Sequence, residues 1–570
     1  MTKRDIGKVL KEIGFFLRLN GDNPYKARAY EQAGMALLAS PFEAQELVES
    51  NRLTKIQGIG PATASVISEL LTTGTSTVHE KLRGRFPSSL VELGDVPGLT
   101  MQQILQLYEH GGVASVVDLQ AACRTGALLS IPGIGPKIQA KLVSSLGEYQ
   151  RGVGYHLYAD MVEEAERLER AIASIHIVKS ATLAGAMRRK LEVMNELRFV
   201  ACCQGTSGAR KVLEGMRAVP NIGEITEDEH SIRAESAHGV PIIVRVVSST
   251  QYGCVLLQET GSEEHIEMLL KRFEKRGMHD WQAVAKRFPG ATEEILYRAI
   301  DLPYIPPELR EGRDEVELAE GMKSLSLLTA RDIQGCFHVH TDYSDGTGTI
   351  SGMVQAARDR GFCYVGISDH SQSAHYANGL KEPRIREQWA EMKALQKEFR
   401  DIHIFRGIEA DILPDGSMDY PDDILAEFDF VIASVHSRFN LSETEQTQRV
   451  CRALANPYVT MLGHPTGRLL LSRPGYRVDL NRVVATAAAH HKLLEINGSR
   501  YRLDLDWRWA RSAKTQGVKF CVNPDAHAVD EFINVALGVN VARKAGLHMD
   551  DVVNVRSLPA VKAFLRDARQ

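Results

Sequence analysis

The sequence is poor in the features that mark secreted or membrane-bound chains. Its eight cysteines in 570 residues stand singly, apart from Cys202-Cys203, and form no CxxC pair. Reduced, buried thiols are therefore expected rather than a disulfide framework. No run is long and apolar enough to span a membrane. The first residues, Met1-Thr2-Lys3-Arg4-Asp5, carry charge without an apolar stretch behind them, so no signal peptide is expected. A cytoplasmic protein with no membrane partner follows. The chain also lacks a strong charge of one sign: its net charge is −4. A globally basic, nucleic-acid-coating surface is thereby excluded, and binding of nucleic acid would fall to local patches and backbone amides. Apolar and charged fractions of 44% and 25% are those of an ordinary globular protein. The length asks for three to five domains.

What the last third does contain is a series of His, Asp and Glu residues at the ends of apolar runs. They read Phe337-His338-Val339-His340-Thr341, Ser344-Asp345-Gly346, Asp369-His370, Gly407-Ile408-Glu409, Ser434-Val435-His436, Gly463-His464-Pro465 and Pro524-Asp525-Ala526-His527. Most follow strand-like stretches such as 363–368 or 430–433, and helical stretches separate the strands. In a barrel of βα units all such strand ends open on one face. Nitrogen and carboxylate donors of this kind suit Zn, Mn or Fe, and carboxylates can bridge two ions. Nine donors on one rim describe a multinuclear metal site, and hydrolysis is the expected chemistry.

The first 150 residues read as helical and repeat a short motif. Ile56-Gln57-Gly58-Ile59-Gly60-Pro61, Val96-Pro97-Gly98-Leu99-Thr100 and Ile131-Pro132-Gly133-Ile134-Gly135-Pro136-Lys137 each open a helix, the middle copy without its second glycine. Glycines let backbone turn sharply and approach a ligand, and free N–H groups at a helix start hold phosphate. These turns resemble helix-hairpin-helix elements that grip the DNA backbone through Gly58, Gly60, Gly98, Gly133, Gly135 and Lys137.

From about Leu328 onward the motifs resemble the PHP (polymerase and histidinol phosphatase) domain, with all nine of that family's ligand positions filled. The whole chain resembles the bacterial family X DNA polymerases, in which such a domain follows a polymerase core. The resemblance implies a multidomain fold. Helix-hairpin-helix domains would occupy 1–85 (the 8-kDa-like domain) and 86–150 (fingers-like). An α/β nucleotidyltransferase-like palm would span 151–235 and a thumb 236–310. A linker at 311–330, its stretch Glu311 to Glu320 an exposed helix, would lead to a distorted (β/α)7 barrel at 331–570. It further implies three divalent ions, with Mn the one expected for activity. His338, His340, Glu409 and Asp525 would hold the first, Glu409 with His436 and His464 the second, and Asp345, His370 and His527 the third. No catalytic group beyond a metal-bound water is required. Arg468 and Arg502 are candidate phosphate clamps, and Asp369 and Asp342 candidate partners for the imidazoles.

The resemblance fails at the polymerase site. The family's Gly-Ser-x-Arg-Arg turn reads Gly185-Ala186-Met187-Arg188-Arg189, and its three carboxylate positions fall at Glu196, Arg198 and Ile243. Two-metal nucleotidyl transfer needs carboxylates there. An arginine puts a fixed cation in their place and isoleucine offers no donor, so polymerase activity is expected to be absent. Arg188 and Arg189 remain candidate phosphate contacts. The family's lyase lysine is also missing, because the helix after Gly60 carries Ala64-Ser65-Val66-Ile67 and a Schiff base needs an amine. The function so implied is DNA repair by a monomer acting on gapped, nicked or 3′-ended DNA. The PHP domain would be a 3′–5′ exonuclease, with 3′-phosphatase or abasic-site incision open to the same centre. The alternatives are an active polymerase with proofreading, a phosphatase of the histidinol-phosphate type, and a non-catalytic DNA-binding scaffold.

Overall fold

The structure, a computed structural model, describes every residue except 2, 41, 43, 57, 97, 204–207, 221, 228–230, 237–238, 323–324 and 568–570. Gln57 and Pro97 of the first two glycine turns thus lie outside the described residues. Among the described residues no helix is long and apolar enough to cross a membrane. The chain divides into two compact units, one built on Met1–Gly154 and the other on Tyr155–Ser236 with Val240–Gln570.

The first unit is all helical, and its three glycine turns share one geometry. Gly58, Gly98 and Gly133 adopt φ of 97°, 75° and 84°, the left-handed region that glycine alone enters without strain. Two residues later Gly60, Thr100 and Gly135 cap helices Pro61–Thr73, Met101–Gly111 and Pro136–Gly152 with φ near −88° and extended ψ. The middle copy replaces the second glycine with a capping box, in which Thr100 and Gln103 bond each other's backbone N–H. The turn therefore survives the loss of its GxG pattern. Nothing stands within 4 Å of where a Cβ would sit on Gly60 or Gly135. Both helix starts are open to a ligand, and Lys137 is exposed beside the second.

The second unit begins with a short antiparallel ribbon of β1 (His156–Leu157) and β3 (Val193–Met194). A five-stranded sheet follows, of β2 (Val178–Leu183), β4 (Leu197–Cys203), β5 (Thr226–Glu227), β6 (Ser231–Glu235) and β7 (Pro241–Ser248), in the order β2-β4-β7-β6-β5. Helix Tyr158–Ala173 buries Met161, Ala165, Leu168 and Ile172, at the 3- and 4-residue spacing of one helix face, in the core shared with this sheet. The sheet runs across the expected palm–thumb boundary at 235/236, with β7 as its middle strand, ending at Ser248.

The stretch Glu311 to Glu320 is also not an exposed linker. Glu315 is 1% exposed and accepts hydrogen bonds from His265 Nδ1 (2.6 Å), Gly312 N (2.7 Å) and Arg313 N (2.8 Å). Val316 and Ala319 are packed with Leu257, Leu269 and Phe273 of the helices Tyr252–Thr260 and Glu263–Glu274. An acidic run reads as solvated unless its partners are known, and here the partners come from a helix 50 residues away.

Seven parallel strands close the chain: β8 (Gly335–Cys336), β9 (Tyr364–Ile367), β10 (His403–Asp411), β11 (Phe430–Ser434), β12 (Met461–Leu462), β13 (Leu493–Asn497) and β14 (Phe520–Asn523), paired in chain order. A parallel bridge between Val339 and Ala526 joins the first strand's exit to the last's, so the barrel is nearly closed. Its interior is filled by Phe337, Tyr364, Phe405, Phe430, Met461 and Cys521. Packed side chains leave no pore, and the C-terminal strand ends are left to carry the chemistry.

Candidate metal centre

Six of the seven strand ends deliver donors to one rim. His338 and His340 follow β8, His370 follows β9, Glu409 lies in β10, His436 follows β11, His464 follows β12, and Asp525 and His527 follow β14. Asp345 comes from the loop after β8. Asp525 Oδ1 lies 3.4 Å from both His338 Nε2 and His340 Nε2. Glu409 sits at the middle: Oε1 is 3.3, 3.2 and 2.9 Å from Nε2 of His338, His436 and His464, and Oε2 is 2.9 Å from His370 Nδ1. Asp345 Oδ1 stands 3.6 and 3.5 Å from His370 Nε2 and His527 Nε2. All nine expected donors thus meet in one cage. The grouping is less partitioned than three separate sets, since His340 converges both with Asp345, His370 and His527 and with His338 and Asp525.

The cage has the chemistry of a metal site. Two ligand atoms each ~2.1 Å from a shared ion stand roughly 3.0–3.4 Å apart, which is the spacing of many of these pairs. His338 Nε2, both nitrogens of His340, His370 Nδ1, Glu409 Oε2 and His464 Nδ1 are buried without a hydrogen-bond partner. Buried polar atoms left unpaired are costly, and divalent ions would satisfy those that face into the cage. Burial opposes ionisation of Glu409, but His436, His338 and His370 outweigh it and hold its carboxyl well below the usual range. Asp525 is likewise lowered, by His338, His340, His527 and Arg502 against burial. Both carboxylates are therefore anionic, as ligands must be. Burial, with His527 and His370 nearby, holds His340 well below its ordinary value, so that ring is neutral.

The residues that orient the ligands are the ones sequence reading missed. Glu495 of β13, fully buried, accepts from His338 Nδ1 (2.7 Å), Asn523 Nδ2 (2.9 Å), His464 N (2.7 Å) and Asn497 Nδ2 (3.1 Å). Asp411 of β10 accepts from His436 Nδ1 at 2.6 Å. Each carboxylate accepts from an imidazole Nδ1–H and so turns that ring's Nε2 into the cage. A signal for Asp411 exists, since it follows Glu409 by two and shares its side of the strand. Asp369 does not touch an imidazole nitrogen. It accepts from Thr341 N and Oγ1 (both 2.7 Å), from Gln388 Nε2 (2.6 Å) and from Ser344, so it pins the loop carrying Asp345. Asp342 is exposed. His464 and Asp525 hold φ of 25° and 52°, strained values for residues with a side chain and common at functional positions.

The four candidate phosphate contacts separate into two kinds. Arg502 Nε is 3.4 Å from Asp525 Oδ2 at the cage. Arg468 is spent internally, on Asp506 (2.6 Å) and the carbonyls of Arg502 and Leu503. Arg188 and Arg189 are corrected as well: Arg188 clamps Glu293 with two nitrogens at 3.0 and 2.6 Å, and Arg189 bonds Glu311 (3.0 Å) and Thr260 O (2.8 Å). Carboxylates claim all three guanidinium groups, leaving no free fork for phosphate.

In the five-stranded sheet, β4 and β7 run parallel with Arg198 directly beside Ile243. Arg198 bonds Glu196, and its Nη1 donates to Glu259 at 2.7 Å, while Arg245 Nε lies 3.1 Å from the same Glu259. Burial disfavours the Arg198 charge, but Glu196 and Glu259 more than restore it and raise its pKa. A Cβ on Gly185 (φ 60°) would come within 3.1 Å of the Arg198 chain, so the turn is shaped around this arginine.

Fold and cage together define a PHP-domain protein with helix-hairpin-helix modules at its front. Residues 337–498 match the PHP domain, 1–76 a helix-hairpin-helix domain and 90–148 a SAM-like helix-hairpin-helix tandem. PHP domains are metal-dependent, and the buried His, Asp and Glu clusters fit divalent ions. Over 99% of its length the chain is 34% identical to the DNA polymerase/3′-5′ exonuclease PolX of Bacillus subtilis (strain 168), all of which is covered. It therefore belongs to the PolX family. The barrel alone is 28% identical to a probable phosphatase of Thermoanaerobacter sp. (strain X514), spanning 41% of this chain and 94% of that protein. A probable phosphatase of Clostridium acetobutylicum is 32% identical over 33% of this chain and 77% of its own.

Proposed function

We propose that the chain is a metal-dependent phosphoesterase that trims DNA from the 3′ end, carrying a palm that does not extend DNA. The observation that carries this reading is the contrast between its two candidate centres. The barrel keeps nine converging donors. The palm holds an ion-paired Arg198 and a buried Ile243 where nucleotidyl transfer needs carboxylates. The named activity of the Bacillus subtilis relative and the open glycine turns of the first unit point to DNA as the substrate.

Three divalent ions, Mn foremost, would be held by His338, His340, Glu409 and Asp525, by Glu409, His436 and His464, and by Asp345, His370 and His527. When bound they supply Lewis acidity toward the phosphate ester and toward water. Glu495 and Asp411 keep the imidazoles turned inward. Arg502, beside Asp525, is the cation placed to hold a non-bridging phosphate oxygen. Gly58, Gly60, Gly98, Gly133, Gly135 and Lys137 would hold the DNA backbone through amides and one charge. Hydrolysis of 3′-phosphates or at abasic sites would use the same cage. The likeness of the barrel to probable phosphatases favours one second reading, a phosphatase for small phosphoesters.

The test is a labelled primer–template with Mn²⁺ and all four dNTPs, resolved on a sequencing gel. Primer shortening that His340→Ala abolishes is the expected result. Lengthening that requires dNTPs would overturn the assignment of the palm, and turnover of small phosphate monoesters alone would favour the second reading.

A further inference from the structure

The barrel disposes of its tyrosines in two ways. Tyr364, Tyr420 and Tyr476 bury their rings and donate their hydroxyls to the carbonyls of Arg556, Leu380 and Pro465. That is how a tyrosine is normally satisfied in a core. Tyr376 does neither. Its ring is 70% exposed, and its hydroxyl makes no hydrogen bond among the described residues. Yet it stands at the rim of the donor cage, its centroid 6.0 Å from the His370 ring and 6.3 Å from the His436 ring, edge-on to both.

The ring is held in place although it is exposed. It belongs to the short turn His375–Ala377. Ala377 N and Gly379 N both donate to Ala374 O (3.0 and 3.1 Å), and Leu380 N returns to His370 O at 2.8 Å. The preceding residues are anchored to Asp419, which accepts from Ser371 Oγ (2.6 Å) and Ser373 N (3.0 Å). A pre-ordered aromatic face open to solvent loses little conformational entropy when a flat partner covers it. Arg502 supplies a cation at the same cage. A π-face and a phosphate-binding cation around one reactive centre are the two elements with which proteins hold a single nucleic-acid strand.

We propose that Tyr376 is the stacking platform of a nucleobase subsite, where the terminal base of a DNA strand lies while its phosphodiester enters the cage. This rests on the DNA-end reading above and adds to it a preference for ends that carry a base. The hydroxyl is not needed, only the ring.

The experiment is a cycle of two changes on the Mn²⁺-loaded full chain. The substrates are a single strand with an ordinary 3′-terminal nucleotide and the same strand with an abasic 3′-terminal residue. The enzymes are the unaltered chain, Tyr376→Ala and Tyr376→Phe. Stacking on an aromatic side chain is worth a factor of roughly 5–150 per base. Tyr376→Ala should raise KM for the ordinary end by that factor and leave KM for the abasic end unchanged, with Tyr376→Phe within about twofold of the unaltered chain on both. An equal effect of Tyr376→Ala on the two ends, or no effect on either, would overturn the subsite while leaving end-trimming intact. Failure of the unaltered chain to cleave either strand would remove the DNA-end reading, and the subsite with it.

Discussion

Replacing Glu495 with glutamine tests whether the cage is held from behind. The two oxygens of Glu495 divide their donors: Oε1 takes His338 Nδ1–H and Asn523 Nδ2–H, and Oε2 takes His464 N–H and Asn497 Nδ2–H. A glutamine has one acceptor and one donor end. Whichever way its amide is turned, an NH2 group faces two N–H donors that have no water to turn to. Each orphaned buried donor costs about 1–3 kcal/mol, so Glu495→Gln should destabilise the metal-free protein by about 2–6 kcal/mol. Loss of the carboxylate also frees the His338 tautomer, and outer-sphere changes of this kind lower metal affinity about 10–100-fold. Thermal unfolding in EDTA, followed by circular dichroism, reads the first effect. Titration of hydrolysis with Mn²⁺ reads the second. A variant that melts with the parent and half-saturates at the same Mn²⁺ concentration would refute the argument, because neither the hydrogen bonds nor the charge would then matter.

Three further outcomes are expected. Adding Mn²⁺ to EDTA-dialysed protein should raise its melting temperature, by the equivalent of about 2.7 kcal/mol at one hundred times the dissociation constant, and a paired His338→Ala and His340→Ala change should remove most of that rise in calorimetry. In the first unit, Lys137→Ala should weaken DNA binding evenly across sequences and lower the log–log salt slope by about 1; an unchanged slope in fluorescence anisotropy would take Lys137 out of the interface. Glu293 is buried between Arg188 and Arg310; burial pushes its pKa up, but the two guanidinium groups outweigh this and hold it below its ordinary value. A depressed folded pKa means stability that is fully present above the unfolded value of about 4.3 and lost as pH falls through the lower folded value. Glu293→Gln should therefore melt lower than the parent at neutral pH, with the gap narrowing in acid; a gap constant with pH would refute the pairing.

The convergence of the donors was legible because all but Asp345 sit at or near the end of an apolar run, where a parallel barrel has nowhere to point but its rim. Glu495 was not, since a single acid within Leu493-Leu494-Glu495-Ile496-Asn497 looks like any polar residue of a half-exposed strand. Only the closed barrel makes it an interior group. The three repeated glycine turns were legible even where one departed from GxG, because Thr100 can cap a helix as well as a glycine can. What the sequence hid was pairing at long range. Arg188, Arg189 and Arg468 look like free cations until Glu293, Glu311 and Asp506 are seen against them, and Glu311 to Glu320 looks solvated until His265 and the core around Leu257 and Phe273 appear beneath it.

Those pairings bear on where the enzyme can be cut. Lys544 of the barrel's helix Asn534–Lys544 has a side chain 1% exposed, and its ammonium is held by Glu311 and by the carbonyl of Arg189 at 3.1 Å. Arg543 leans on Glu308 (2.9 Å), and Arg508 and Arg468 both face Glu192, the residue just ahead of the β1–β3 ribbon. A barrel expressed from residue 331 would keep all nine donors of the cage but lose the four acceptors that these cations were folded against. Residues 155–330 thus carry the counter-charge of the barrel, and a stable fragment that holds the cage should begin near Tyr155 rather than at the first strand of the barrel.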